Sequence, residues 1–338
     1  MSIRHPLLSG AMFVTLLFSG VNAAQAADSA PPIVIYNAQH ASLTKAWAQG
    51  FTRDTGIEVT IRNGGDSELA NQIVQEGSAS PADVFLTENS PAMTLVDNAG
   101  LFAPVDPATL AQVPPEYRPS DRRWIGIAAR STVFVYNKDK LTPAQLPASL
   151  LDLANPAWKG RWGASPTGAD FQAIVSAMLE LKGEGVTLAW LKAMKQDAVA
   201  YRGNGNVMKA VNAGQIDGGV IYHYYYVGDQ AKTGENSKNT ALHYFKHQDP
   251  GAFVSVSGGG VLASSQHKPQ AQAFLKWLTG KGGQDVLRTG SSFEYAVGVG
   301  AASHPKLVPL ADLDAPKVDA ARLNSRKVTE LMTQAGLL

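Results

Sequence analysis

From Ile33 to Leu86 the chain runs strand, helix, strand, helix, strand, and that order leaves few folds open. Ile33-Val34-Ile35-Tyr36 is a short, branched apolar run of strand character. Ser42 to Asp54 sets Leu43, Ala46, Trp47 and Phe51 at helical spacing, and Gly56 ends the helix. Ile57 to Ile61 alternates as a second strand. Asp66-Ser67 can cap a helix through Gln75 whose inner face is Leu69, Ile73 and Val74, and Asp83-Val84-Phe85-Leu86 is a third strand. Strands joined in this way lie parallel, with helices on the sheet faces. Ligands of such sheets sit beyond the carboxyl ends of the strands. His40 follows the first strand and Glu88 the third, so both point at one crevice.

The second half alternates less regularly. Thr132 to Tyr136 reads as a strand and Ala154 to Gly163 as a Pro/Gly loop. Ala169 to Leu181, Val186 to Lys195 and Val207 to Asn212 read as helices. Gly219 to Tyr222 is a strand with Tyr224 just beyond it, and Phe253 to Ser257 is a strand broken by Gly258-Gly259-Gly260. Gln270 to Thr279 is helical, with Pro269 suited to its first turn, and a last helix covers Ala320 to Ala335. This organisation predicts two α/β lobes joined by strands that cross near Arg130 and Ser255.

The amino terminus reads as an export signal. Arg4 precedes an apolar run from Leu7 to Val21, and Ala24-Gln25-Ala26 offers a small-x-small cleavage site. The run is about 15 residues, short of the roughly 20 a spanning helix needs. No Cys follows it, which excludes a bacterial lipoprotein, and the mature chain is expected to start near Ala27 in the periplasm. The chain has no cysteine at all, so neither disulfides nor thiolate ligands are available. Of 29 basic residues only Arg4 lies in the leader, and 28 acidic residues balance the rest. Without a basic surplus, nucleic acid is not an expected partner.

Four of ten tyrosines could pack or bind in Tyr222-His223-Tyr224-Tyr225-Tyr226. Aromatic packing at a strand-to-helix junction is one reading. The other is a pair of phenols at a strand end facing the crevice. A free phenol titrates near 10, but a bound cation can hold it deprotonated. Phenolate and carboxylate oxygens suit a hard, highly charged cation. Ser165-Pro166-Thr167-Gly168-Ala169, before a helix, offers backbone N–H groups to an anion, or simply an N-cap by Thr167. Gly203-Asn204-Gly205-Asn206 is another polar turn before a helix. His243 and His247 have the spacing of a zinc helix but lack its Glu, and they fall in a stretch of strand and loop. No nucleophile elbow, P-loop or dinucleotide fingerprint is present, so no enzyme is expected.

Taken together, these segments resemble the periplasmic ferric ion-binding proteins of bacterial iron ABC importers. Tyr36-Asn37-Ala38-Gln39-His40 is similar to that family's opening motif, and Pro81 to Glu88 to the segment ending in its carboxylate ligand. Tyr224-Tyr225 matches its tyrosine pair, and His247 to Ala252 a motif beside the second hinge crossing. The resemblance implies a two-lobed type II periplasmic binding protein fold, with two mixed-sheet domains joined by crossing hinge strands. The lobes would be 27–130 with 255–305 and 131–254 with 306–338, after a leader of 1–26. It implies Fe(III) held by His40, Glu88, Tyr224 and Tyr225. A small anion (phosphate, carbonate or citrate) would complete coordination at Asn89, Thr167, Gly168, Ala169 and Asn204, with Arg130 as a further anion partner. Phosphate-binding members carry Asn two places before the tyrosine pair, where this chain has Tyr222. The implied protein is a monomer that closes on iron, delivers it to an ABC permease and binds less tightly as pH falls. The rival reading is a same-fold binder of an organic solute such as thiamine, a polyamine or a sugar, since aromatic clefts suit flat or cationic ligands.

Overall fold

The computed structural model describes residues 1–2 and 31–338. The leader features (Arg4, the Leu7–Val21 run, Ala24–Ala26 and the start near Ala27) lie outside the described residues. The first lobe opens as the alternation requires: β1 (Ile33–Asn37), α1 (Ala41–Thr55), β2 (Val59–Asn63), α2 (Asp66–Glu76), β3 (Val84–Leu86) and α3 (Ser90–Asn98). β1 pairs in parallel with both β2 and β3. Helix α1 buries Trp47 and Phe51 completely, and the indole of Trp47 donates to the carbonyl of Gly283 at 2.9 Å. Burying such a side chain contributes about 1.5–3 kcal/mol. Gly56 closes the helix at φ 75°, where a side chain would be strained.

After the short α4 (Pro107–Leu110) comes β4 (Ile125–Asn137), which changes partner halfway. Its first part pairs antiparallel with β9 (Val254–Val261), Arg130 lying opposite Ser255. From Thr132 onward it pairs instead with β7 (Gly218–Tyr222) and β8 (Thr240–His243). The second lobe adds β5 (Trp162–Ala164), α5 (Ala169–Asp197), β6 (Val199–Ala200), α6 (Asn204–Asn212), α7 (His223–Lys232) and the final α10 (Ser325–Gln334), packed on α5. Helices α8 (Lys268–Thr279) and α9 (Lys281–Thr289) return to the first lobe, where α9 packs on α1. The strand order is β2-β1-β3-β9-β4-β7-β5-β6, with β8 beside β4.

Three expectations need correction. Gly258-Gly259-Gly260 continues β9 instead of breaking it. The glycines are there for space: a Cβ on Gly258 would stand 2.3 Å from Met93 Cγ, and one on Gly260 2.6 Å from Phe102. The loop expected over 154–163 ends in β5, whose Gly163 has no room for a Cβ against Val199 O. The closing helix is two pieces, a single turn at Ala320–Arg322 and then α10, because Asn324 caps a fresh start by accepting from Lys327 N at 3.0 Å. The two helices expected on either side of residue 183 are present within α5, separated by Gly183, whose φ of 79° breaks the helical path.

Candidate functional site

Two lobes supply the crevice. His40 is the residue before α1, at the carboxyl end of β1, and Glu88 stands two residues past β3. Across from them, Tyr224 and Tyr225 occupy the first turn of α7, just past β7. Strand ends and helix starts therefore place all four where a parallel-sheet protein holds its ligand. The Tyr224 and Tyr225 rings stack with centroids 4.3 Å apart, and the His40 ring meets Tyr224 edge-on at 5.0 Å.

Behind His40 lies a charged network with no exposed member. His40 Nε2 is 3.1 Å from Glu88 Oε1, and Nδ1 is 3.0 Å from Glu294 Oε1. Arg130 Nη2 donates to Glu294 Oε2 at 2.6 Å, and Nη1 to Glu88 Oε2 at 3.3 Å. Arg130 and Glu294 are both completely buried. Burial alone would raise the Glu294 pKa, but the Arg130 charge and the His40 hydrogen bond outweigh it and hold the carboxyl at about 2. Burial likewise pulls His40 down, yet the hydrogen bond and charge of Glu294, with the Glu88 charge, lift it above its ordinary value. Arg130, expected as an anion partner, is turned toward these two carboxylates and the Gln39 side-chain oxygen.

The second network centres on Asp170, in the first turn of α5. Its Oδ2 accepts from the hydroxyls of Tyr224 (3.2 Å) and Tyr225 (3.3 Å) and from Asn204 Nδ2 (2.8 Å). Its Oδ1 accepts from Asn89 Nδ2 at 3.1 Å, a contact across the two lobes. Asn89 Oδ1 in turn accepts from Tyr222 and Ser255, and Asp66 receives Asn89 Nδ2 and the backbone N–H of Glu88. Burial, then the Glu88 charge, pushes Asp66 up to about 8. Burial first, then Asp170, pushes Tyr225 up to about 12 and Tyr224 well above the ordinary phenol range. Both phenols are thus protonated at neutral pH until a cation reverses the balance.

The positions expected to hold an anion surround this carboxylate. Asn89 and Asn204 bond to it directly, Ala169 precedes it, and Gly168 begins the helix without a side-chain cap. Thr167 is exposed and its hydroxyl caps nothing. Asp170, Glu294 and Asp66 are the members of these networks that sequence reasoning did not single out for the site. Only Asp170 carried a signal, as the acidic residue following the Ala169 turn. Elsewhere, His243 bonds to the carbonyl of Pro147 and His247 is exposed, so the pair forms no site.

A cavity of about 710 Å³ opens beside Asp66, Asn89 and Ala169. A larger one of about 1120 Å³ lies against the hinge strand at Phe253, Val254 and Val256 and touches none of the four expected ligands. Among the described residues no group of three or more His, Cys, Asp or Glu is arranged as a metal cage. The oxygens that line the crevice, phenolic and carboxylic, are donors of the kind that suits a hard ion.

Comparisons with known proteins show the family of the chain. The sequence pattern of the bacterial extracellular solute-binding protein family matches residues 37–285. The chain is 78% identical over 315 residues to the Fe(3+)-binding periplasmic protein of Serratia marcescens, covering 93% of each. It is 37% identical over 339 residues to the major ferric iron-binding protein of Neisseria meningitidis serogroup B, covering 99% of each. The crystal structure of iron-bound HitA from Pseudomonas aeruginosa superposes with a TM-score of 0.85 at 41% identity, covering 91% of this chain and 100% of that one.

Proposed function

We propose, on the premise that this chain belongs to the bacterial extracellular solute-binding proteins, that it captures ferric iron between its lobes and delivers it to an ABC-type importer in the periplasm. The observation that carries this is the convergence of two stacked phenols, a carboxylate shared by both, and an imidazole–carboxylate pair. Hard, anionic oxygen donors in that number suit a trivalent ion such as Fe(III). Donor atoms that already meet within hydrogen-bond distance frame an ion, not thiamine, a polyamine or a sugar. The relatives named above are iron-binding or iron-bound proteins, and the role assigned here is capture without catalysis.

His40 Nε2, a Glu88 oxygen and the phenolates of Tyr224 and Tyr225 are the assigned ligands. We assign Asp170 as a fifth. Its carboxylate stands among the residues expected to hold phosphate, carbonate or citrate, so the chain supplies its own anion. Ferric affinity of the parent should then be the same with or without those anions. Asp170→Ala should bind weakly in their absence and recover when phosphate or carbonate is added. A parent that needs an added anion would refute this assignment.

With lobes at 27–130 plus 255–305 and 131–254 plus 306–338, His40 and Glu88 come from one and the tyrosines and Asp170 from the other. Iron bridging them favours the closed form by its differential affinity. The protein acts as a monomer before the permease.

Loading must displace the phenol protons. Because both phenols titrate above neutral, the free protein holds those protons and binding releases them, so affinity rises with pH and falls as pH drops. Two protons give about a hundredfold per pH unit near neutrality. Competition against a chelator of known pH dependence measures the slope, and a flat profile would exclude phenolate ligation.

A further inference from the structure

We propose that Glu294 is a positioning residue for iron capture: it fixes the His40 ring with Nδ1–H turned inward and Nε2 presented to the crevice. This rests on the ferric reading above. The geometry supporting it is specific to one short segment. Phe293 sits at φ 54°, a left-handed conformation that a bulky side chain adopts only when the surroundings impose it. Its carbonyl bonds with His223 Nε2 at 2.8 Å, directly before the tyrosine pair. Two residues on, Tyr295 exchanges both backbone hydrogen bonds with Ala129 on the crossing strand, at 2.8 and 3.0 Å. Glu294 is thus pinned from both sides and aimed at His40.

The chemistry follows from counting donors. An ionised carboxylate only accepts, so the imidazole nitrogen facing it must carry hydrogen. Glu294 Oε1 faces Nδ1, while Oε2 is taken by Arg130, Gln39 Nε2 (3.1 Å) and Ser257 (3.3 Å). Nε2 faces Glu88 Oε1 at 3.1 Å, so by the same count it too bears hydrogen in the iron-free protein; it is the nitrogen on the crevice side, and a bound metal would replace that proton. Metal-bound histidines are commonly oriented by an acceptor on the far nitrogen, and losing it typically costs 10–100-fold in affinity. Glu294 lies more than 250 residues from His40, with an apolar-aromatic neighbourhood of its own, and nothing in the local sequence marks it.

Glu294→Gln tests the idea because an amide has one acceptor oxygen for two donors. The guanidinium takes that oxygen, the NH₂ group faces Nδ1, and the ring is pushed to the tautomer with hydrogen on Nε2. Ferric affinity should fall roughly 10–100-fold with the phenolate–iron absorption retained. Nitrogen-15 NMR of the protein loaded with Ga(III), a diamagnetic trivalent probe, should show Nδ1 protonated in the parent and the tautomer disturbed in the variant. A folded variant with affinity within about twofold of the parent and an unchanged tautomer overturns the proposal. Should the variant fail to fold, the parent decides: Nε2 protonated with Nδ1 on the metal overturns it equally. A parent that binds neither Fe(III) nor Ga(III) strikes the ferric reading instead, so the two failures are distinguishable.

Discussion

Tyr225→Phe abolishes most ferric affinity while leaving the fold intact. The phenol oxygen is the only atom removed. In the structure it donates to Asp170 at 3.3 Å, and the ring stacks on Tyr224, a contact that phenylalanine keeps. The lost hydrogen bond costs stability about 0.5–1.5 kcal/mol, and less where water reaches the half-buried ring. Binding loses far more. One of the two phenolate donors to a trivalent ion disappears, which should exceed the roughly 10–100-fold penalty for disturbing a mere outer partner of a ligand. Chelator competition measures the affinity, and thermal unfolding of the iron-free variant measures the fold. Unchanged affinity would remove Tyr225 from the site.

The second large effect is on stability. Arg130→Met should cost about 3–5 kcal/mol, because it leaves two carboxylates facing each other without their cation. Arg130 is completely buried on the crossing strand, opposite Ser255, and bonds Glu88 and Glu294 at once. Its pKa is raised well above normal even though burial opposes the charge, because Glu294 and then Glu88 hold it. Methionine fills similar volume but leaves the buried Glu294 without its strongest partner, with only His40, Gln39 and Ser257 to satisfy it. Adding Glu294→Gln to Arg130→Met removes that stranded charge and should recover part of the loss, a coupling that a double-mutant cycle by chemical denaturation reads directly. A loss below about 1 kcal/mol in the single variant would show that the pair is not the hinge's electrostatic anchor.

Much of the fold was legible because periodicity and punctuation agreed. Leu43, Trp47 and Phe51 mark one face of α1, Gly56 marks its end, and the parallel pairing of β1 with β2 and β3 follows from the order. The positions of His40, Glu88, Tyr224 and Tyr225 were legible for the same reason, since each follows a strand. Legibility failed where packing overrides composition. Gly258 to Gly260 reads as a breaker but is a strand pressed against Met93, Trp124 and Phe102. A crossing strand near Arg130 was expected, but its start at Ile125 was not read, because Gly126, Ala128, Ala129 and Arg130 mix small residues with a buried charge and match no strand pattern. Asp66 reads as a helix cap, yet Gly65 holds the cap position and Asp66, the first residue of α2, accepts from Glu88 N and Asn89 Nδ2. Asp170 and Glu294 gain their meaning only from partners 54 and 254 residues away in sequence.

The most direct test of ferric capture is a visible absorption titration of the protein starting at Ala27, stripped by chelator, in buffer free of phosphate, carbonate and citrate. Adding ferric iron from a weak complex should raise a phenolate-to-iron charge-transfer band that saturates at one iron per chain. Absence of that band, with iron binding elsewhere or not at all, would contradict capture by Tyr224 and Tyr225.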